Sequence, residues 1–407
     1  MKVVQINAVY EYSSTGRTTK ELHSELKRQG HDSYVFCTNV DDIKNGVYRM
    51  GTKLSGKIHS LLSRATGLQG YFSSGATKKM LKAFDEIKPD VVHLRNLHGN
   101  YINVNMLLDY LVKNQIATVV SLHDCWLFTG HCCHYTEEDC DRWQYGCGKC
   151  PAKHKWNKSW FFDRSAKVYR DRKERFTKLN KLTVVGASDW VTNECKKSFM
   201  KENAYFVRIY NWIDLDTFSP VPREANGRPT ILAVAQEWTD EKGLSDIINI
   251  AKNNDGFDFV TVGKMPRDIS LPDNILSVGE INNIANLVKL YQKADVLLHL
   301  SYQETFGKVI AEALACGTPA VVYDVTAMPE LIRPGCGAVV PKGDWQAAGN
   351  AVKELVFENR ECYQSERLCP VQQRCRDYAL ENFNMSDLLR KWQELYKLTI
   401  DSSADKR

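Results

Sequence analysis

A chain of 407 residues is too long for one ordinary core, and about 150 residues per domain asks for two or three domains. With 43% hydrophobic and 25% charged residues the composition excludes disorder, and no stretch reaches the roughly 18 uninterrupted apolar residues of a spanning helix. The net charge of +5 hides an asymmetry: residues 1–212 carry 33 Lys and Arg against 21 Asp and Glu, the remainder 21 against 28, so the first half is expected to face something anionic.

The opening "MKVVQINAVYE" runs straight into a β-branched pattern with no signal-peptide core behind it, and the chain is read as cytoplasmic, with its 13 cysteines mostly reduced. Residues 2–10 read as a strand, and 18–30 have helical periodicity ending at Gly30. Further β-branched runs follow at 32–38, 89–96, 117–124 and 181–188. Continuous apolar runs separated by helices predict a parallel sheet covered on both faces.

The segment "FSPVPREANGRPT" (218–230) reads as a linker or hinge. A second β/α series has strands at 231–236, 257–263, 296–301 and 318–324, and a helix at 388–398 is available to pack back. The expected architecture is α/β, with two Rossmann-like doubly wound domains at 1–217 and 218–380 and a C-terminal segment, 381–407, returning to the first. Ligands of such sheets sit beyond the carboxyl ends of the strands, which predicts a central cleft.

The stretch "SYQETFGKVIAEALACGTP" (301–319) places Glu304 in a loop after a strand and Glu312 about two turns inside the next helix. The N–H groups of Phe306, Gly307 and Lys308 are first-turn donors suited to a diphosphate, and Gly307 lets a ligand approach the backbone. Taken singly, Glu304 is an N-terminal charge favoured by the helix dipole and Glu312 a solvated surface residue.

Taken together, E-x7-E with Phe-Gly between, followed by "EALACGTPAVVYD", resembles the retaining nucleotide-sugar glycosyltransferases of family 4, which have the two-domain GT-B fold. The resemblance implies that Glu304 contacts the donor sugar, Glu312 holds the ribose hydroxyls, and the amides of Phe306, Gly307 and Lys308 bind the diphosphate. "VYEYSSTGRTTKELHSELKRQGHDSYV" looks like the family's first strand, glycine loop and helix, which puts Gly16 and Arg17 on the diphosphate side. In "SLHDCW", His123 is implied near the donor sugar, a strand-end His satisfied by a carbonyl being the ordinary alternative. Lys242 matches the lysine that neutralises the leaving diphosphate, whereas Glu237 stands where an arginine is usual and Trp212 where most relatives have glycine.

Four cysteines of the Cys-rich insertion 125–151, Cys133, Cys140, Cys147 and Cys150, are spaced C-x6-C-x6-C-x2-C, beside His131, Cys132 and His134. They suit a tetrahedral structural Zn²⁺, and the Gly-Cys-Gly-Lys-Cys turn resembles a zinc knuckle; reduced structural cysteines, or disulfides formed on isolation, are the alternative. A similar stretch occurs in an exopolysaccharide or colanic-acid-type subgroup of the family. Residues 153–176 interleave basic residues with Trp156, Trp160, Phe161, Phe162, Tyr169 and Phe176, the composition of a segment lying on an anionic membrane; the alternative is a solvated helix whose aromatics pack on the first domain. No nucleic-acid module accompanies it.

The resemblance therefore implies transfer of a sugar from a nucleotide-diphosphate donor, UDP-sugar favoured, to a lipid-linked oligosaccharide in capsule, O-antigen or exopolysaccharide synthesis, without a catalytic metal. The enzyme would be peripheral on the inner face of the cytoplasmic membrane. Glu237 motivates a rival, a catalytically weakened GT-B subunit that supports a partner. A nicotinamide-dependent dehydrogenase fits tandem doubly wound domains, but the opening strand is not followed by G-x-G-x-x-G.

Overall fold

The computed structural model describes residues 1–363 and 366–402, so residues 403–407 of the expected C-terminal segment lie outside the described residues. The chain divides into two compact units, one made of Met1–Ile209 with the chain from Leu389 onward, the other of Tyr210–Leu388.

The first unit is built on seven strands: β1 (Lys2–Ile6), β2 (Asp32–Cys37), β3 (Val47–Arg49), β4 (Val91–Leu94), β5 (Ala117–Leu122), β6 (Leu182–Gly186) and β7 (Ala204–Arg208). All pair in parallel in the order β3-β2-β1-β4-β5-β6-β7. The second carries β8 (Thr230–Glu237), β9 (Asp258–Lys264), β10 (Ile275–Gly279), β11 (Val296–His299), β12 (Ala320–Tyr323) and β13 (Gly337–Val340), parallel in the order β10-β9-β8-β11-β12-β13. Strand order reverses once in each sheet, between β1 and β4 and between β8 and β11. The carboxyl ends of those strands are where a doubly wound sheet opens a ligand crevice.

The inner strands β4, β5, β6, β11 and β12 are buried at every position, because helices cover both faces. Val92, Leu94, Val120 and Leu122 close the first core with Phe36, Phe84 and Trp126, each such side chain contributing about 1.5–3 kcal/mol by burial.

Two sequence expectations change and a third is refined. The first helix runs Ser13–Arg28, five residues earlier than its periodicity begins, so Gly16 and Arg17 sit in the helix and not in a loop before it. The Glu11 amide donates to the Gly16 carbonyl at 3.1 Å, and Glu11 and Ser13 at φ 66° and 61° turn the chain sharply into the helix. The segment 218–230 lies within the second unit: Arg223 is buried and donates to the carbonyls of Tyr291 and Gln292 and to Thr318. The last helix spans Met385–Asp401 and joins the first unit, where Tyr396 hydrogen-bonds His93 at 2.8 Å, Thr399 meets Thr183 at 2.8 Å and Trp392 stacks on His93. No helix among the described residues is long and apolar enough to cross a membrane.

Candidate functional site

In the second unit the chain leaves β11 into the loop 300–307 and enters the helix Lys308–Ala315. The loop is tied on both sides, since the Tyr302 amide donates to Glu241 O (2.8 Å) and the Glu304 amide to Thr326 Oγ1 (2.9 Å). Gly307 caps the helix at φ 90°, where a Cβ would also lie 2.9 Å from Ile310 Cδ1. No side chain caps that helix, and the N–H groups of Phe306, Gly307 and Lys308 meet no acceptor among the described residues. They are free for an anion.

Two residues 62 positions apart meet beside those amides. Lys242, in a turn Asp240–Lys242 following β8, places Nζ 2.7 Å from Glu304 Oε1 and 3.3 Å from Ser301 Oγ. His299, the last residue of β11, brings Nε2 within 3.4 Å of the same oxygen. Burial alone would push the Glu304 carboxyl up, but Lys242 and His299 overcome it and hold the acid far below the usual carboxylate range. The result is a cation and an anion, paired yet part-exposed, at the carboxyl end of the strand next to the reversal point.

Glu312 is 7% exposed, not a solvated surface residue, and its Oε2 accepts from Tyr291 Oη at 3.0 Å. Tyr302 and Tyr323 both donate to Asp246 at 2.8 Å, which packs the loop against the neighbouring helix. Glu237 is 65% exposed and lies 3.4 Å from Lys264, its register partner on β9. Trp212 is buried.

The first unit gathers different chemistry at its strand ends. Arg95, just past β4, is buried and donates to Thr18 Oγ1 (2.7 Å) and Gln5 Oε1 (3.2 Å), and burial brings its guanidinium down to about 10. Burial, then the Arg95 charge, drives His123 down to about 3, a neutral imidazole. His98 donates to Asp124 at 2.7 Å; burial works against its protonation, but Asp124 prevails and its pKa is raised. Arg17 is exposed and Gly16 buried, on the helix that also carries Thr18.

The cysteines sort otherwise than their spacing suggests. Cys132, Cys140, Cys147 and Cys150 line one cavity of about 10 Å³, and Cys132 hydrogen-bonds Cys150. Cys133 is absent from that cavity: its sulfur accepts from Asn157 Nδ2 at 3.6 Å and lies with the polar atoms of His98 and Asp124, all within 4.8 Å of one another. Successive side chains on extended backbone leave on opposite sides, and spacing alone could not say which of the two adjacent cysteines faces inward. The basic aromatic segment splits as well: Tyr169 and Phe176 are core residues on the helix Ser165–Phe176, whereas Trp160, Phe161 and Phe162 are exposed.

Sequence reading did not mark Arg95, His98, His299, Ser301 or Tyr291. Arg95 and His299 had a usable signal, a charged or titratable residue ending an otherwise apolar strand run; Tyr291 sits in ordinary amphipathic helix and had none.

The profile described as Glycosyltransferase Family 4 matches residues 15–217, and that described as Glycosyl transferases group 1 matches residues 216–374. The chain belongs to this glycosyltransferase family. Among curated glycosyltransferases it is similar to the O-antigen chain mannosyltransferase RfbU of Salmonella typhimurium, at 26% identity over 42% of this chain and 51% of that one. The chain spans only 35–37% of the length of several other curated relatives it matches. Sucrose-phosphate synthase from Thermosynechococcus elongatus superposes with a TM-score of 0.70 at 15% identity, over 99% of this chain and 100% of that one. Anabaena HepE in complex with UDP gives 0.65 at 13% identity, over 98% and 100%. Both share the GT-B fold of this chain, two Rossmann-like domains with parallel sheets.

Proposed function

We propose that this glycosyltransferase moves a sugar, with retention, from a nucleoside-diphosphate donor to a hydroxyl of a lipid-linked oligosaccharide in surface-polysaccharide synthesis. The observation that carries the reading is the Lys242–Glu304 pair beside three unclaimed amides at a glycine-capped helix start. An arriving diphosphate takes the amides and Lys242, and Glu304, released from its lysine, accepts from a sugar hydroxyl. Glu312 holds the ribose hydroxyls.

The bond between the anomeric carbon and the diphosphate oxygen breaks while a bond to the acceptor oxygen forms on the same face. The departing phosphate carries away the acceptor proton, so no separate general base is assigned. Lys242 and the amides neutralise the leaving charge, and no catalytic metal is invoked. Gly16, Arg17 and His123 keep the donor-facing roles that the resemblance implies. UDP is the favoured carrier, an assignment supported by the UDP complex of a protein of the same fold.

The first unit presents a surface suited to a membrane-borne acceptor. The helix Lys53–Thr66 leaves Leu54, Ile58, Leu61 and Leu62 exposed and contains basic but no acidic residues. The Trp160 amide donates to Arg64 O (2.7 Å) at the end of that helix, which joins Trp160, Phe161 and Phe162 to the same patch. Lys53, Lys57, Arg64, Lys158 and Arg164 lie on the two segments, an apolar and basic pairing that matches an anionic bilayer surface.

A thermal-shift panel of UDP, GDP, dTDP, CDP and NAD tests the donor assignment, because a ligand that binds the folded state raises the midpoint. Stabilisation by one nucleoside diphosphate, lost in Glu312→Ala, is expected. A response to NAD alone would reject the reading in favour of a dehydrogenase, and binding of a diphosphate without any transfer would favour the non-catalytic subunit.

A further inference from the structure

A cavity of about 700 Å³ lies within the second unit and reaches Thr230, the first residue of β8, and Asp295, directly before β11. These are the amino ends of the strands whose carboxyl ends lead to Lys242 and Glu304. One wall is the helix Ile284–Lys293, where Asn286, Lys289, Leu290 and Lys293 recur at three- and four-residue spacing and so share a face. The segment 221–228 forms another and brings in Arg223. The charged side chains of this cavity are unequally occupied. Arg228 pairs with Asp258 at 3.1 Å, and Arg360 donates to the carbonyls of Asn226 and Gly227. Asp295 accepts from the Thr230 amide (2.8 Å) and lies 3.5 Å from Arg360 Nε, while Glu224 accepts from Asn226 (2.6 Å). Lys289 and Lys293, by contrast, meet no acceptor among the described residues. Arg223 is 6% exposed and donates only to neutral oxygens. Its Nη1 has no acceptor, and Tyr363 Oη approaches that guanidinium only from beyond hydrogen-bond distance.

We propose that this cavity binds a sugar-sized phosphate monoester, at a site separate from the one that takes the donor. Enclosing a guanidinium without a carboxylate beside it is costly, and Arg223 has no ion-pair partner among the described residues. An anion in the cavity supplies the missing counter-charge. Two ammonium groups one helical turn apart, with a buried guanidinium on the same cavity, suit a dianion better than a single carboxylate. A phosphate ester carries about −1.5 to −2 charge and offers three strong acceptor oxygens. Inorganic phosphate alone would leave most of the space empty. Val221, Pro222, Val278 and Ile281 give apolar surface for a carbon skeleton, and Asn286 an amide for its hydroxyls. The proposal is independent of the glycosyl-transfer reading.

The test is calorimetric titration of the full-length protein with glucose 6-phosphate, inorganic phosphate, glucose and UDP. It compares the wild type, Glu312→Ala and a double variant, Lys289→Gln with Lys293→Gln; both lysines are exposed, so the double variant is expected to fold. Glucose 6-phosphate should bind the wild type and Glu312→Ala equally, and more tightly than inorganic phosphate, while glucose should not bind. In the double variant its Kd should rise ~10-fold or more through the loss of two charge-assisted hydrogen bonds, with UDP affinity unchanged. A wild type that binds the ester but not UDP would sink the donor reading and leave this one standing. No binding of either phosphate to the wild type overturns the proposal, as does an unchanged Kd for the ester in the double variant. Loss of ester binding in Glu312→Ala also overturns it, since the ester would then occupy the donor site. Equal affinity for inorganic phosphate and the ester would refute the ester as the ligand.

Discussion

The strand ends of the two units handle charge in opposite ways. In the second, Lys242 and Glu304 pair at 2.7 Å while both remain partly open to solvent, so their partner can be exchanged for a ligand. In the first, Arg95 is fully enclosed and held by neutral oxygens of Thr18 and Gln5, and His123 is kept uncharged beside it. A paired, part-exposed charge does chemistry at little cost in stability, whereas an enclosed one is part of the core. The same residue types therefore carry different consequences when changed.

The largest expected separation follows from that contrast. Lys242→Ala should lower turnover by ~10²–10³-fold, the scale of losing one preorganised group on a developing charge, while stability falls by less than for Arg95→Ala, about 1 kcal/mol, because the part-exposed Glu304 carboxylate regains water. Arg95→Ala should do the reverse, costing ~2–3 kcal/mol through two orphaned acceptors. Denaturant unfolding and initial rates on both variants check this, and a large stability loss in Lys242→Ala would break the distinction.

Glu312 stands between the two regimes, buried yet assigned to the ligand. Glu312→Ala should weaken donor binding by ~10–100-fold, the scale of a hydrogen bond to a charged group, and also strand the Tyr291 hydroxyl. Tyr291→Phe separates the effects: calorimetry should find donor affinity unchanged there. Equal losses in both variants would make Glu312 a packing residue only.

What the sequence made legible follows the same physics of burial. Strands enclosed on both faces, such as β5 and β11, read as runs dominated by apolar and β-branched residues and are legible. The four strands that sequence reading passed over, β3, β7, β10 and β13, are the four sheet edges, where part of each strand is exposed and the pattern dissolves. The carboxylates of 301–319 were legible because motif and helix spacing coincide. His299 and Ser301 were not, because their role comes from a contact with Glu304 and Lys242 that exists only once the loop is folded. Which of the adjacent Cys132 and Cys133 lines the small cavity of the Cys-rich region was not legible for a related reason, the facing of adjacent residues being a property of the folded backbone.

A smaller effect is expected on the outer surface of the first unit. Phe161→Ser with Leu61→Ser removes two exposed apolar groups, 68% and 54% accessible, without touching either strand-end cluster. Co-sedimentation with anionic vesicles should fall by ~10-fold or more, since each side chain contributes on the order of 1–2 kcal/mol when it inserts, and binding should weaken with added salt. Equal binding to neutral and anionic vesicles would remove the basic residues from the account.

Near neutral pH the smallest effects lie in the titrations of the first unit, where two histidines oppose each other. His98 has its folded pKa raised by Asp124, so its contribution is complete below the unfolded value of about 6.5 and is lost as pH rises through the folded pKa. His123 is depressed to about 3: its unfolded form binds a proton that the folded form refuses, and stability falls as pH drops from about 6.5 towards 3. Histidine resonances followed by NMR should show the His98 midpoint raised from the ordinary histidine value and His123 unchanged down to pH ~4. Arg95→Met should then raise the His123 pKa, since that cation is, after burial, the largest cause of its depression, and leave His98, governed by Asp124, in place. A His123 that titrates normally in the wild type would mean that the strand end is open to water, and the contrast with the second unit would lose its physical basis.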